Sequence, residues 1–354
     1  MHQTFVPDPC AWLSLPMPAW RKIEAARSSW EQRPSLSPNG LATDQRSRRH
    51  HAQNGHVARK GNQVNFVIGS IIAMGCILGG FAALGGHLQV LVQPYEFLII
   101  GGSSLGIFII ANPLSTIKDS GKAVVEAITD KTPKTRDFLD VLTVLHAIMR
   151  EIRGKSRSEV EGHFDNPKES EIFKAFPRLM ANIALVTFIT DYGRLIIIGN
   201  AKPHEIEALM DEEIETLSTD RYKPVHALTT VADGLPALGI VAAVLGVIHA
   251  MGALDQSPEL LGGLIGAALV GTFGGIFLSY AVVAPIAQKI KLVRQKQLRL
   301  FVLVKQSLLA FMNGAMPQVA IEFGRKTIPS SERPTIDSVE NETINGAQAV
   351  GEAA

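Results

Sequence analysis

The most informative feature of this sequence is where charge is missing. Although 19% of the residues are Asp, Glu, Lys or Arg, four long windows contain none of them. They lie between Lys60 and Glu96, between Glu96 and Lys118, over residues 234–254 and over residues 260–288. Each can hold the roughly 20 apolar residues that a helix needs to cross about 30 Å of hydrocarbon. This pattern excludes an ordinary soluble protein and indicates one that crosses a membrane several times.

Signatures of catalysis and of metal binding are missing as well. The sequence contains no Walker lysine loop, no HExxH motif and no CxxC motif. Its two cysteines, Cys10 and Cys76, provide no disulfide framework. We therefore expect no enzyme activity, no cofactor, no metal site and no nucleic-acid partner.

The charge-free windows predict four transmembrane helices, near residues 65–84, 97–112, 235–254 and 261–286. The connections between the first and second spans and between the third and fourth contain no Lys or Arg, whereas the other flanks contain several. Lys and Arg accumulate in cytoplasmic loops. Both termini and the long middle region are therefore predicted to be cytoplasmic.

The remaining segments differ in composition. Residues 113–234 predict a helical cytoplasmic domain, since Phe138, Leu142, Leu145 and Ile148 recur at spacings of three and four. Residues 287–329 predict a cytoplasmic helical extension, and residues 330–354 are polar and predict a disordered tail. The predicted fold is all-α: a polytopic membrane protein with transmembrane helices at 64–112 and 235–286 and a helical cytoplasmic domain.

Residues 1–63 have a different character, with scattered prolines, an RSRRHH run and no periodic apolar face. One interpretation is a disordered cytoplasmic arm. The other is an extension outside the mature protein, with synthesis beginning at Val64. We favour the second, because an apolar span follows Val64 at once. An N-terminal peptide of the native protein that maps upstream of Asn65 would contradict it.

The predicted spans contain prolines and small residues but no carboxylate. His249 is the titratable candidate in the last two spans, near their outer end, and a structural role is expected for it. Pro236 and Pro285 lie at the cytoplasmic ends of spans three and four, where each frees a carbonyl and permits a bend. Pro236 is equally compatible with a harmless first-turn proline. Span four also carries six glycines and Thr272, which suit close packing or a narrow polar path.

The absence of a buried carboxylate leaves two interpretations. Ion pathways through membranes are usually marked by ionisable residues. If this protein takes part in ion conduction, a partner must supply the ionisable group. Otherwise the helices form a structural bundle that conducts nothing.

Several stretches together resemble one family. They are DNPKESEIF at 165–173, HEIEALMDEEIET at 204–216, DGLPALGIVAAVLGVIHAMGALD at 233–255, LVGTFGGIF at 269–277 and IEFGRKTIPSSERP at 321–334. In these stretches the chain is similar to the MotA family, the larger stator subunits of the bacterial flagellar motor, within the MotA/TolQ/ExbB proton channels. The resemblance runs from about residue 64 to residue 334.

This resemblance implies a stator subunit of the bacterial inner membrane. With MotB it would form a proton-conducting complex that converts proton-motive force into torque on the rotor protein FliG. The family implies a homo-oligomer, a pentamer around a MotB dimer, in which MotB supplies the ion-binding aspartate. The functional prolines map onto Pro236 and Pro285, and the ion-path threonine maps onto Thr272. The alternatives are an ExbB/TolQ-like transducer for outer-membrane processes and a non-conducting scaffold.

The family also has a charged pair that contacts FliG, which maps onto Arg157 and Glu161. Glu161 keeps the family's distance to Asn166, whereas the interval from Arg157 is shorter than in the family pattern. On a helix the two residues are i, i+4 neighbours, and such a pair stabilises by less than about 0.5 kcal/mol. Apart from the family, a solvated helix face is the favoured explanation of these charges.

Overall fold

The computed structural model describes residues 61–351, and the side chains of residues 68–344. The interpretation of residues 1–63 therefore falls almost wholly outside the described residues, and so do the last three residues of the chain. Within residues 61–351 every regular element is a helix. The predicted all-α fold is confirmed.

Thirteen α-helices follow one another in the described residues. They are α1 Gly61–Ala83, α2 Pro94–Ala111, α3 Leu114–Ile128, α4 Thr135–Gly154, α5 Arg157–Asp165, α6 Glu171–Lys174, α7 Pro177–Met180, α8 Ile183–Ile198, α9 Pro203–Met251, α10 Pro258–Phe277, α11 Ala284–Met312, α12 Pro317–Lys326 and α13 Ile336–Gly351. A 3₁₀ turn, Leu88–Leu91, precedes α2, and a π-helical segment, Leu278–Val283, joins α10 to α11.

Three helical stretches of the described chain are long and apolar enough to cross a membrane. They are Leu88–Ala111, Pro203–Met251 and Pro258–Met312, while the apolar part of α1, Ile68–Ala83, is shorter. Large apolar side chains on these helices face outward, as at Ile110, which is 87% exposed. Apolar surface of this kind is stable only against lipid or another subunit. The chain is a helical protein with apolar membrane helices.

The third predicted span is not a separate helix. The domain at 113–234 and the span at 235–254 were predicted as separate segments, but α9 runs unbroken from Pro203 to Met251. Its 49 residues extend over about 74 Å, more than twice the thickness of the hydrocarbon layer. Likewise α10, the π segment and α11 form one helical rod. Two long helices therefore run from the apolar segments directly into the helical domain built around α4.

Glycines allow α9 and α10 to approach each other closely. A Cβ atom on Gly275 would lie 2.6 Å from the carbonyl oxygen of Leu235 and 2.7 Å from Cα of Gly239. In contrast, a Cβ on Gly262 or Gly263 would meet nothing within 4 Å in this chain. The small residues of the predicted fourth span thus include one group that packs on α9 and another that leaves open space.

The largest hydrophobic core of the described residues is built around α4. The predicted apolar face is buried, since Phe138, Leu142, Leu145 and Ile148 are each at most 1% exposed. It packs with α8, α11 and α12 in one hydrophobic cluster, in which Phe188 and Phe301 meet edge to face at 5.3 Å. Burying large side chains of this kind contributes roughly 1.5–3 kcal/mol each.

The predicted disorder of residues 330–354 is wrong over α13. This helix packs against α4, with Val339 and Thr343 only 5% and 7% exposed. Glu342 on the same helix forms an ion pair with Arg136 of α4. The segment is too polar to form a core of its own, and its order comes from the face that it presents to α4.

We predict that Gly275→Ala destabilises the protein while Gly262→Ala does not. A methyl group at Gly275 collides with the α9 backbone, which must shift, and overpacking of this kind costs about 1–3 kcal/mol. Thermal unfolding of the two purified variants in the same detergent measures the difference. Equal melting temperatures would show that α9 and α10 are not in direct backbone contact.

Candidate functional site

Pro236 lies inside α9, so its interpretation as a first-turn proline is wrong. A proline within a helix has no N–H to donate to the carbonyl four residues earlier, which is here the carbonyl of Ala232. The hydroxyl of Ser279 donates to that oxygen at 2.6 Å, and Ser279 is 1% exposed. The carbonyl that Pro236 leaves free is thus satisfied by the neighbouring helix.

Ser279 belongs to the π segment that precedes Pro285. The N–H of Ala284 donates to the carbonyl of Ser279, five residues earlier, as in a π turn. Pro285 follows in the first turn of α11, and the helix continues beyond it instead of ending there. π turns inside α-helices are often found at functional sites. Ser279, six residues before Pro285, therefore connects the helix of Pro285 to the carbonyl that Pro236 leaves free.

Thr272 lies on α10 at the contact with α9. Its backbone carbonyl would be 3.3 Å from a Cβ atom on Gly239, so the two backbones nearly touch. Its side chain is partly buried, and the hydroxyl makes no hydrogen bond to any described residue. The hydroxyl is therefore free to contact a group from outside this chain.

A carboxylate does lie on a membrane helix. The second span was predicted from residue 97, but α2 begins at Pro94 and carries Glu96 in its first turn. Oε2 of Glu96 is buried and has no hydrogen-bond partner in the described chain. The prediction that no span contains a carboxylate is wrong for α2. His249, by contrast, is exposed near the end of α9.

Arg157 and Glu161 are both exposed on α5, and no ion pair joins them. The expected i, i+4 pairing is therefore absent, which is consistent with the small energy of such pairs in water. Neither residue has a charged partner among the described residues. Both charges are available to another molecule.

The helix that carries these charges is held firmly. Phe164 of α5 is fully buried against α8 at Gly193, where a Cβ would lie 2.1 Å from the ring. Arg194 of α8 donates to the carbonyl of Phe164 at 2.8 Å and to Asp165 at 3.0 Å. Arg157 and Glu161 are thus presented on a fixed support.

The structure shows two groups of residues that sequence reasoning proposed separately. Pro236, Pro285 and Thr272 lie along the α9–α10 contact and its continuation, while Arg157 and Glu161 lie in the cytoplasmic domain. Ser279 was missed. The available signal was a hydroxyl group among large apolar residues, shortly before a helical proline.

Two family models match this chain. The model of the Motility protein A N-terminal region matches residues 67–156. The model of the MotA/TolQ/ExbB proton channel family matches residues 172–301.

The chain is also similar to curated proteins over most of their length. It is 42% identical to Motility protein A of Salmonella typhimurium over 274 residues, which cover 77% of this chain and 93% of that protein. It is 41% identical to Motility protein A of Escherichia coli K12, again over 77% of this chain and 93% of that protein. The chemotaxis protein LafT of Vibrio parahaemolyticus is 33% identical, over 77% of this chain and 96% of that protein.

Two solved structures share the fold. The C. jejuni MotAB structure superposes with a TM-score of 0.62 at 19% identity, covering 77% of this chain and 98% of that chain. The flagellar MotAB stator complex from Bacillus subtilis superposes with a TM-score of 0.57 at 22% identity, covering 75% of this chain and 96% of that chain. At these identities the likeness concerns the fold alone.

We predict that Ser279→Ala lowers stability by about 1 kcal/mol, since it leaves the Ala232 carbonyl without a donor. Ser104→Ala is the matched control, because its hydroxyl bonds to Gly101 of its own helix on an exposed face. Melting temperatures of the purified variants test this. If Ser279→Ala had the same melting temperature as Ser104→Ala, the hydrogen bond from Ser279 to α9 would not contribute to stability.

Proposed function

The chain belongs to the Motility protein A branch of the MotA/TolQ/ExbB proton channel family, and we propose that it is a stator subunit of the bacterial flagellar motor. In this proposal it lies in the inner membrane and forms a proton-conducting complex with a MotB-type partner. The observation that carries the proposal is the similarity to Motility protein A over nearly the whole length of that protein. The match to the N-terminal motility region favours this branch over an ExbB/TolQ-like transducer. The family is one of channels and not a class of enzymes.

The proposed topology has four transmembrane helices: α1, α2, the last part of α9, and α10 with the π segment. Three of them are long and apolar enough in the described residues, and α1 extends beyond the part for which side chains are described. The connections at 84–93 and 252–257 contain no Lys or Arg, which supports placing them outside the cytoplasm. Residues 113–234, residues 287–329 and both termini are then cytoplasmic.

The proposed ion path uses a carboxylate from the partner. The α9–α10 contact contributes glycines, prolines and the free hydroxyl of Thr272, but no acidic side chain. An aspartate on a MotB helix beside this contact would supply the missing group. Exposed apolar side chains along α2, α9 and α10 support an assembly of several copies, for which we propose a pentamer around a MotB dimer.

Motion at the membrane junction can reach the rotor through the long helices. Pro236 divides α9 into a membrane part and a cytoplasmic part of 33 residues, about 50 Å long. A change of about 5° at Pro236 would therefore displace the far end by roughly 4 Å. We propose that proton transfer at the partner's aspartate shifts the junction of Pro236, Ser279 and Pro285, and that the displacement generates torque.

Arg157 and Glu161 are the proposed contacts to FliG. They are exposed and unpaired, and α5 fixes their position. Charges of this kind accelerate and orient an encounter more than they strengthen it. This suits a contact that must form and break during each step.

We predict that Pro236→Ala abolishes swimming while the protein still co-purifies with its MotB partner. Alanine restores an N–H that competes with Ser279 for the Ala232 carbonyl and removes the position at which the helix can bend. Pro224→Ala is the control, because it restores an N–H in the same helix far from Ser279. Normal swimming of the Pro236→Ala strain would refute the junction mechanism. Equal loss of swimming in both strains would show that removing either proline from α9 has the same effect, which contradicts a specific role for the junction.

We predict that Glu161→Lys lowers motor torque without reducing proton flux through the complex. A reversed charge repels the rotor group that Glu161 attracts, whereas the membrane path is untouched. Glu212→Lys, at another exposed acidic position on α9, is the control. Bead-assay torque and flux into cells that overproduce the complex are the two measurements. Full torque in the Glu161→Lys motor would place the rotor contact elsewhere.

A further inference from the structure

A polar cavity lies where the long helices meet the cytoplasmic core. It encloses about 450 Å³ and is bordered by residues of α3, α4, α7, α8, α9 and α11. This volume is within the range of small-molecule sites. Its cationic wall consists of Lys122, Lys131, Arg178, Arg221 and Arg294.

The carboxylates that border the cavity already have partners. Oε2 of Glu126 lies 3.2 Å from Nε of Arg294, and Oδ1 of Asp140 lies 3.1 Å from Nε of Arg136. Asp137 accepts a hydrogen bond from the backbone N–H of Lys134 at the start of α4. Two of these carboxylates thus pair with arginines, and the third is held by a backbone amide.

The other cations of the wall make no ion pair with any described carboxylate. They are Lys122, Lys131, Arg178 and Arg221. Arg294 is only 6% exposed and is paired with Asp119 as well as Glu126. The lining has five cations against three carboxylates, so the cavity carries an excess of positive charge.

Arg221 is the cation for which this excess matters most. Its guanidinium is held by neutral groups, with Nη1 donating to Gln297 at 2.8 Å and the ring of Phe301 at 5.5 Å. Burial lowers the pKa of Arg221 most and the nearby charge of Arg294 lowers it further, while the charges of Glu126 and Asp119 oppose this only in part. A partly buried guanidinium beside another one is unfavourable unless an anion compensates it. Its planar fork of donors matches the oxygens of a phosphate group.

The position of the cavity indicates a soluble ligand. Arg294 follows Pro285 by nine residues, about 14 Å along the helix, and Arg221 precedes Pro236 by fifteen residues, about 22 Å. Both prolines lie at the cytoplasmic ends of the proposed spans. The cavity is therefore beyond the reach of most lipid headgroups.

We propose that this cavity binds a small phosphate-bearing anion from the cytoplasm, held by Arg221 and Arg178 next to Arg294. The anion would join α9 and α11, which continue into the membrane, to the α4 and α7 side of the cytoplasmic core. Binding therefore stabilises the contact between these two parts. The inference is independent of whether the protein drives a flagellum.

Titration of the full-length protein in phosphatidylcholine nanodiscs with pyrophosphate tests the proposal. We expect saturable binding by calorimetry and a rise in melting temperature that chloride at the same ionic strength does not produce. Arg221→Gln should weaken binding about tenfold or more, as the loss of a charge-assisted hydrogen bond does. Arg299→Gln, an exposed arginine on α11 outside the cavity, should leave binding unchanged.

Arg178→Gln is a second test variant. The Arg178 side chain is exposed, so this substitution still tests the cavity if Arg221→Gln fails to fold. Unchanged pyrophosphate affinity in both variants, or an absence of saturable binding to the wild type, would overturn the proposal. Competition by phosphatidylglycerol added to the nanodiscs would instead identify a lipid headgroup and contradict a soluble ligand.

Discussion

The hydrogen bond from Ser279 to the carbonyl freed by Pro236 is the contact on which the membrane part of this structure depends. In lipid an unsatisfied carbonyl is costly, because no water replaces the lost donor. At Pro236 a neighbouring helix supplies that donor, whereas Pro224 lies in the same helix far from Ser279. The π segment holds Ser279 in that position, and the glycines at 239 and 275 bring the backbones close enough for a 2.6 Å bond.

Ion pairs in the cytoplasm keep the long helices together below this junction. Lys305 of α11, 7% exposed, lies 2.6 Å from Asp211 of α9. Arg294 of α11 binds Asp119 of α3 at 3.0 Å. Breaking these pairs would leave the buried cations of Lys305 and Arg294 uncompensated, so the helices resist moving separately. In the proposed mechanism, a displacement at Pro236 would therefore be carried to the core that supports α5.

Sequence reasoning found the features that follow from composition and missed those that follow from tertiary contact. Missing charge predicted the membrane helices, and the family motifs identified both prolines. The change from an acidic to an apolar segment looked like a helix boundary near residue 235, although nothing there interrupts the backbone of α9. A single serine in an apolar window has no periodicity, so the only signal for Ser279 was its position shortly before a helical proline. The order of helix α13 depends on its contact with α4. A contact between segments so far apart in the sequence cannot be inferred from the local composition of a polar tail.

Two kinds of unpaired charge in the cytoplasmic part imply two kinds of partner. Arg157 and Glu161 are in water, where an unpaired charge costs little, so they suit a partner that comes and goes. Arg221 is partly buried beside Arg294, where the charge is costly until an anion arrives. A site of this kind favours a ligand that stays bound. The two proposals therefore differ in the solvent exposure of the charges and not in residue type: a transient contact is proposed on α5, and a lasting one at the base of the long helices.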